Sequence, residues 1–158
     1  MTSLQLVGPA TLALTLMAAL PATAQDTAWE QKCSDTECAI GLAFNEAASQ
    51  KRAGTFLVVL RGDNPPLMGL VTPLGVAVAA GARVVVGDEE IPVPFQVCYP
   101  DGCRAFTETD EAQLDALSQA EAVDLRFFGY GQERPLAINL PLTGLDTALE
   151  EARAKMAE

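Results

Sequence analysis

Four cysteines stand in two pairs of equal spacing, Cys33-Ser34-Asp35-Thr36-Glu37-Cys38 and Cys98-Tyr99-Pro100-Asp101-Gly102-Cys103, in a chain of 158 residues. Thiols are the most reactive groups this sequence offers, so their spacing decides what they can do. Four residues lie between the members of each pair, not the two of a C-x-x-C redox motif, which argues against thioredoxin-like chemistry. Tyr99-Pro100-Asp101-Gly102 is a turn, in which Pro100 presets φ at the first central position and Gly102 tolerates the conformations that close it. Residues suited to strands flank it, so each pair brackets a hairpin turn and sits where a cross-strand disulfide would clamp it. Of the three possible connectivities the local one is expected, Cys33–Cys38 and Cys98–Cys103. The alternative is four thiolates on one zinc ion, for which an oxidising compartment would compete.

Other chemistry is bounded by what is missing. The chain has no histidine, which removes Ser-His-Asp and Cys-His catalysis, histidine metal sites and histidine pH switching. No glycine-rich loop with phosphate-cradling spacing is present. Carboxylates are densest at Asp88-Glu89-Glu90 and Glu108-Thr109-Asp110-Glu111. Two acids suffice for glycoside hydrolysis, and an acidic turn can hold calcium. Both clusters fall at strand ends or helix starts, however, where solvent or a helix dipole accounts for them. No catalytic residue, metal ligand or cofactor is assigned. Phe128 and Tyr130 remain, on the parity opposite Leu125 and Phe127 of one strand. If that face meets solvent they form an apolar partner-binding patch, and the alternative is a helix covering them.

The elements that position these residues are short strands. Ala28–Cys33 is a first strand with Trp29 as core anchor, and Ile40, Leu42 and Phe44 alternate on a second. Asn45–Gly54 reads as a surface loop or short helix. Thr55–Arg61 is apolar on both faces, as a central strand should be, and Gly62–Pro66 breaks it. Leu67–Val76 is a short strand and then a tight passage, and Arg83–Asp88 is another strand. In Ile91–Val97 the apolar residues share one face while Pro92 and Pro94 fall on the other, which predicts a sheet edge. Asp110 with Gln113 resembles a capping box opening a helix over Asp110–Gln119, with Leu114 and Leu117 inward. Val123–Phe127 and Leu136–Leu142 alternate as strands around the turn Gly129–Arg134. Leu145, Leu149, Ala152 and Met156 then mark a closing helix over Leu145–Met156. Many short strands between turn signals predict an all-β sandwich with two short peripheral helices.

Residues 1–24 contain no Asp, Glu, Lys or Arg; an apolar run, Leu12–Leu20, precedes Pro21 and the A-x-A-like Ala22-Thr23-Ala24. This is the pattern of a secretory signal peptide, although the n-region lacks a basic residue. The expected organisation is a signal peptide over 1–24 and one domain over 25–158, with no stable membrane span after cleavage. Four cysteines in an exported chain fit two disulfides. The formal net charge of −11 makes nucleic acid and anionic lipid poor partners.

Several motifs together resemble the invasion-associated locus B family of exported bacterial proteins. They are Trp29 with Cys33 and Cys38, Pro73-Leu74-Gly75-Val76 followed by Gly81, Phe95-x-x-Cys98 with Gly102-Cys103-x-Ala105, and Leu140-Pro141-Leu142-Thr143-Gly144-Leu145-x-x-Ala148-Leu149. Leu145 stands where that family often has Phe. The resemblance implies an immunoglobulin-like β-sandwich in the periplasm or outer envelope, linked in pathogenic relatives to host-cell invasion. It supplies no catalytic residues. The expectation is therefore a non-catalytic module that binds a protein or cell-surface partner, not an enzyme. The alternative is an envelope enzyme or a small-ligand or calcium binder using the surface carboxylates.

Overall fold

In the computed structural model the described residues are 29–46 and 50–157. The segment expected to be a signal peptide lies outside them, as does Ala28 of the expected first strand. Among the described residues ten strands form two antiparallel sheets. The larger has the order β1 (Glu30–Cys33), β2 (Cys38–Asn45), β3 (Arg52–Arg61), β4 (Asn64–Thr72), β8 (Gly102–Glu108), β7 (Phe95–Tyr99). The smaller has the order β10 (Leu136–Pro141), β9 (Ala122–Phe127), β5 (Ala82–Val86), β6 (Glu89–Val93). With helices α1 (Glu111–Gln119) and α2 (Leu145–Met156), this is the expected sandwich with two peripheral helices.

One apolar core draws on both sheets and both helices. Ile40, Phe56, Val58, Met68 and Leu70 from the larger sheet are buried with Val84, Val93, Val123 and Leu125 from the smaller. Helix α1 adds Leu114 and Leu117, and α2 adds Leu145, Ala148, Leu149 and Ala152. The alternation on β9, with Val123, Leu125 and Phe127 buried and Asp124 and Arg126 half-buried, is the period of 2 that a one-sided strand requires. Trp29 packs edge-on to Phe56, ring centroids 6.4 Å apart, and its Nε1 donates to the Thr143 carbonyl at 3.0 Å. The helix over 110–119 begins as its sequence predicts. Asp110 accepts from the Gln113 N–H at 2.8 Å while the Gln113 side chain accepts from the Asp110 N–H at 3.3 Å, which satisfies two otherwise unpaired donors.

Three expectations change. Strand β3 begins at Arg52 and not at Thr55, so Asn45–Gly54 is not all loop or helix; residues 47–49 of it lie outside the described residues. Polar Arg52 extends the strand past the small, buried Ala53 and Gly54, where the register against β2 shifts. The turn after Arg61 is only Gly62-Asp63, since Arg61 faces Asn64 across the ladder. Pro65 and Pro66 therefore lie inside β4, near its start, where a missing donor is tolerated. The run Ile91–Val97 is two strands. Pro94 interrupts it, and the chain passes from the edge of the smaller sheet (β6) to the edge of the larger (β7). Both prolines do sit at edges, and the Pro94 carbonyl accepts from the Phe106 N–H at 3.2 Å.

Candidate functional site

The two cysteine pairs are both cross-strand disulfides. Cys33 faces Cys38 on β1 and β2, and Cys98 faces Cys103 on β7 and β8, each pair with Cα atoms 3.9 Å apart. No free cysteine remains. They clamp opposite ends of the larger sheet. Cys38 pairs with Leu60, beside the Arg61–Asn64 turn, whereas Cys103 pairs with Thr72 at the far end of β4.

Around the second clamp the sequence builds a rigid hairpin tip. Arg104 reaches back to Asp101 with two charge-assisted hydrogen bonds, 3.0 and 2.7 Å, and its guanidinium lies 5.1 Å over the Tyr99 ring. The hydrogen bond from Arg104 holds the Asp101 carboxyl below its ordinary range and raises the arginine, as a planar fork on a carboxylate should. Gly102 has φ +139°, and a Cβ there would lie 2.3 Å from the Thr72 carbonyl oxygen. Only glycine lets the tip lie against β4.

Beyond Thr72 the chain forms the wall of an open cleft of about 490 Å³. Gly75, at φ +95°, turns the wall, and Val76 bridges Gly129. The Tyr130 N–H donates to the Gly75 carbonyl at 2.6 Å and the Ala77 N–H to the Phe128 carbonyl at 2.8 Å. Ala53 of β3, Phe127 of β9 and Leu136 of β10 complete the apolar lining with Pro73, Leu74 and Val76, so the cleft opens between the ends of the two sheets. Glu46, Lys51, Arg52 and Arg134 stand at its margin. Large apolar side chains are exposed at this same end: Tyr130 by 83%, Leu74 by 59% and Tyr99 by 52%.

The structure separates the two aromatics that the sequence placed on one outward face. β9 ends at Phe127, and the chain then joins the Gly75–Ala77 segment. Tyr130 projects outward, while Phe128 is half-buried and lines a second hollow with Ala80, Arg83 and Arg126. Neither helix lines that hollow.

The acidic clusters are spread over structural duties. Glu90 pairs with Arg83 at 3.1 Å and Arg126 at 3.7 Å, and Glu89 accepts from the Gln113 side chain at 2.9 Å. Glu108 pairs with Arg61, Glu111 with Arg153, and Asp110 caps α1. No group of three or more potential metal ligands occurs among the described residues. The cleft margin was not among the residues singled out from the sequence. A signal existed, because Lys51-Arg52 is the one adjacent basic pair in a chain with ten basic residues.

Comparison with curated proteins gave no match. The crystal structure of invasion associated protein b from Bartonella henselae superposes with a TM-score of 0.70 at 24% sequence identity, covering 82% of this chain and 94% of that one. That likeness is one of fold. The family model described as Invasion associated locus B (IalB) protein matches residues 24–153. Within that span lie both cysteine hairpins, the Pro73–Gly81 wall and the Leu140–Leu149 motif, in which Gly144 takes φ +82° directly before α2. The chain belongs to the invasion associated locus B family.

Proposed function

We propose that this protein is an exported, non-catalytic module of the bacterial envelope that binds a protein or cell-surface partner through the open end of the sandwich. The observation that carries the reading is the exposed Tyr130, with Leu74 and Tyr99 exposed at the same end of the sandwich. Rigid loops presenting isolated aromatics suit recognition, since they lose little conformational freedom on binding. Phe128, the other aromatic expected there, is half-buried and lines the neighbouring hollow with Arg83 and Arg126, so Tyr130 is the exposed member of the pair. The structural duties of the carboxylates favour binding over catalysis, because acids engaged in ion pairs and caps are poorly placed for proton transfer.

Export rests on the signal-like segment over 1–24 and on two disulfides, which persist in oxidising compartments. Among the described residues no helix is long and apolar enough to cross a membrane. The family description and the Bartonella henselae relative both carry the words invasion associated. For this chain the corresponding reading is a surface contact, with host cells if the bacterium meets them and with envelope components otherwise. Crosslinking in the intact envelope tests it. Wild type and the double variant Phe128→Ser, Tyr130→Ser are compared for crosslinked partners and melting temperature. Loss of a wild-type adduct at unchanged folding is expected. An identical adduct profile would place the contact elsewhere, and turnover abolished by neutralising Asp88–Glu90 or Glu108–Glu111 would overturn the non-catalytic reading.

A further inference from the structure

The cleft at the open end differs from the rest of the surface in charge. The chain carries 21 acidic and 10 basic residues, yet three of those ten, Lys51, Arg52 and Arg134, stand at this one margin against a single acid, Glu46. Most arginines are committed elsewhere: Arg61, Arg83, Arg104, Arg126 and Arg153 each pair with a carboxylate, and Arg52 donates to the Thr55 hydroxyl at 2.9 Å. Arg134 is exposed and has neither an ion pair nor a side-chain hydrogen bond among the described residues. In a protein of net charge −11, an uncommitted guanidinium beside two further cations is a local reversal of field.

Beside this margin the surface is apolar. Leu74 is exposed, Val76 and Leu136 are half-buried, and all three line the cleft. A volume of about 490 Å³ lies within the roughly 300–1,000 Å³ typical of small-molecule sites. A cationic rim beside an apolar lining suits an amphipathic anion, and the simplest that fits is a carboxylate carrying an apolar chain. The guanidinium fork takes both carboxylate oxygens, and the chain removes lining surface from water.

We propose that the cleft is a binding site for fatty carboxylates, with Arg134 as the headgroup anchor and Leu74, Val76 and Leu136 as the chain-binding lining. The site adjoins the Tyr130 contact and shares Leu74 with that end, but Tyr130 itself does not line the cleft, so Arg134 and Tyr130 variants test the two apart.

The purified oxidised protein is titrated with decanoate, 1-decanol and acetate by calorimetry, with backbone amide shifts of Gly75 and Gly129 locating the site. Decanoate is expected to bind one to one, about tenfold more tightly than 1-decanol, with no response to acetate. Arg134→Gln should bring decanoate to the level of the alcohol and leave the alcohol unchanged. Leu74→Ser should weaken both, and Tyr130→Ser neither. Raising the salt should weaken decanoate selectively. Equal affinity for acid and alcohol would overturn the proposal. So would full decanoate affinity in Arg134→Gln, shifts confined to another face, or no binding by either method. None of these results bears on the crosslinking test of the Tyr130 surface.

Discussion

Thr72 closes β4 on the core-facing side, in line with buried Met68 and Leu70, and is 1% exposed. Its Oγ1 has no hydrogen-bond partner, and it alone is in that position among the buried side-chain polar atoms of the described residues. A hydroxyl withdrawn from water without a partner costs about 1–3 kcal/mol. Thr72→Val keeps the side-chain shape, replaces the hydroxyl by a methyl group and retains the β-branch that suits a strand. Taking the low end of that range, the variant should be more stable by about 1 kcal/mol, which for a domain of this size raises the melting temperature by about 3–5 °C. Thr72→Ser is the control. It keeps the unpaired hydroxyl and loses a buried methyl, so it should fall by about 1 kcal/mol. Urea unfolding of the three proteins, read as midpoints at constant slope, separates stability from changes in the unfolded chain. A Thr72→Val protein less stable than wild type would refute the reasoning, because it would mean the hydroxyl has a partner whose loss outweighs the gain.

At Gly69 an added Cβ would lie 2.2 Å from the Phe106 ring and 2.4 Å from the Ala105 carbonyl oxygen, so Gly69→Ala should destabilise by about 3 kcal/mol in the same unfolding assay. Peptide mapping without reductant should recover only Cys33–Cys38 and Cys98–Cys103 links. Replacing Cys98 and Cys103 together by Ala should cost about 2 kcal/mol, the loop-closure estimate for so short a ring. Asp101 titrates below its ordinary range because Arg104 hydrogen-bonds its ionised form. Its folded pKa is thus lower than its unfolded one, so its contribution is present above the unfolded pKa and is lost as pH falls through the folded one. Carboxyl chemical shifts should show that low midpoint in wild type and a return to the ordinary range in Arg104→Gln. Tyr130→Ser should leave the melting temperature nearly unchanged, within about 0.5 kcal/mol in stability, and a large fall would show the ring to be core.

Local chemistry was legible in the sequence where one short segment determines the outcome. The Asp110–Gln113 capping box and the Leu145–Met156 stripe each depend on residues within a turn or two, and both helices form over the expected ranges. The cysteine hairpins are likewise settled by a turn and its two flanks. Ile91–Val97 is the contrary case. Its alternation holds before Pro94, where Ile91 and Val93 are buried, but fails after it, where a register shift follows Phe95 and Val97 is exposed. Periodicity also says nothing of which sheet a strand joins, and the chain changes sheet there. Phe128 and Tyr130 share a parity that loses meaning once β9 ends at Phe127. The cleft was hidden for a deeper reason. Lys51, Leu74 and Arg134 are far apart in sequence and meet only because β3, β4, β9 and β10 begin or end at the same end of the sandwich.

The two ends of that sandwich are built from different materials, and the difference bears on function. At the Arg61–Asn64 end the helices close the structure: the Thr109 N–H donates to the Pro66 carbonyl, and Arg153 of α2 pairs with Glu111 of α1. Lys155 donates to Gln31 at 2.7 Å, tying the last turn of α2 to β1. Three of the cations there, Arg61, Arg153 and Lys155, each have a side-chain partner. At the other end no α-helix intervenes, and the strands are joined through Pro73–Gly81, which includes only a single 3-10 turn at Val78–Ala80, and Gly129–Pro135, with Gly75, Gly81 and Gly131 all at positive φ. A positive φ excludes most side chains, so these loops hold their course through backbone conformation and leave the intervening side chains free to face outward. Leu74 and Tyr130 are the result. A sequence selected only for stability would have little reason to keep such residues in water at the end its helices leave open, so that is the end at which a ligand or partner should be sought.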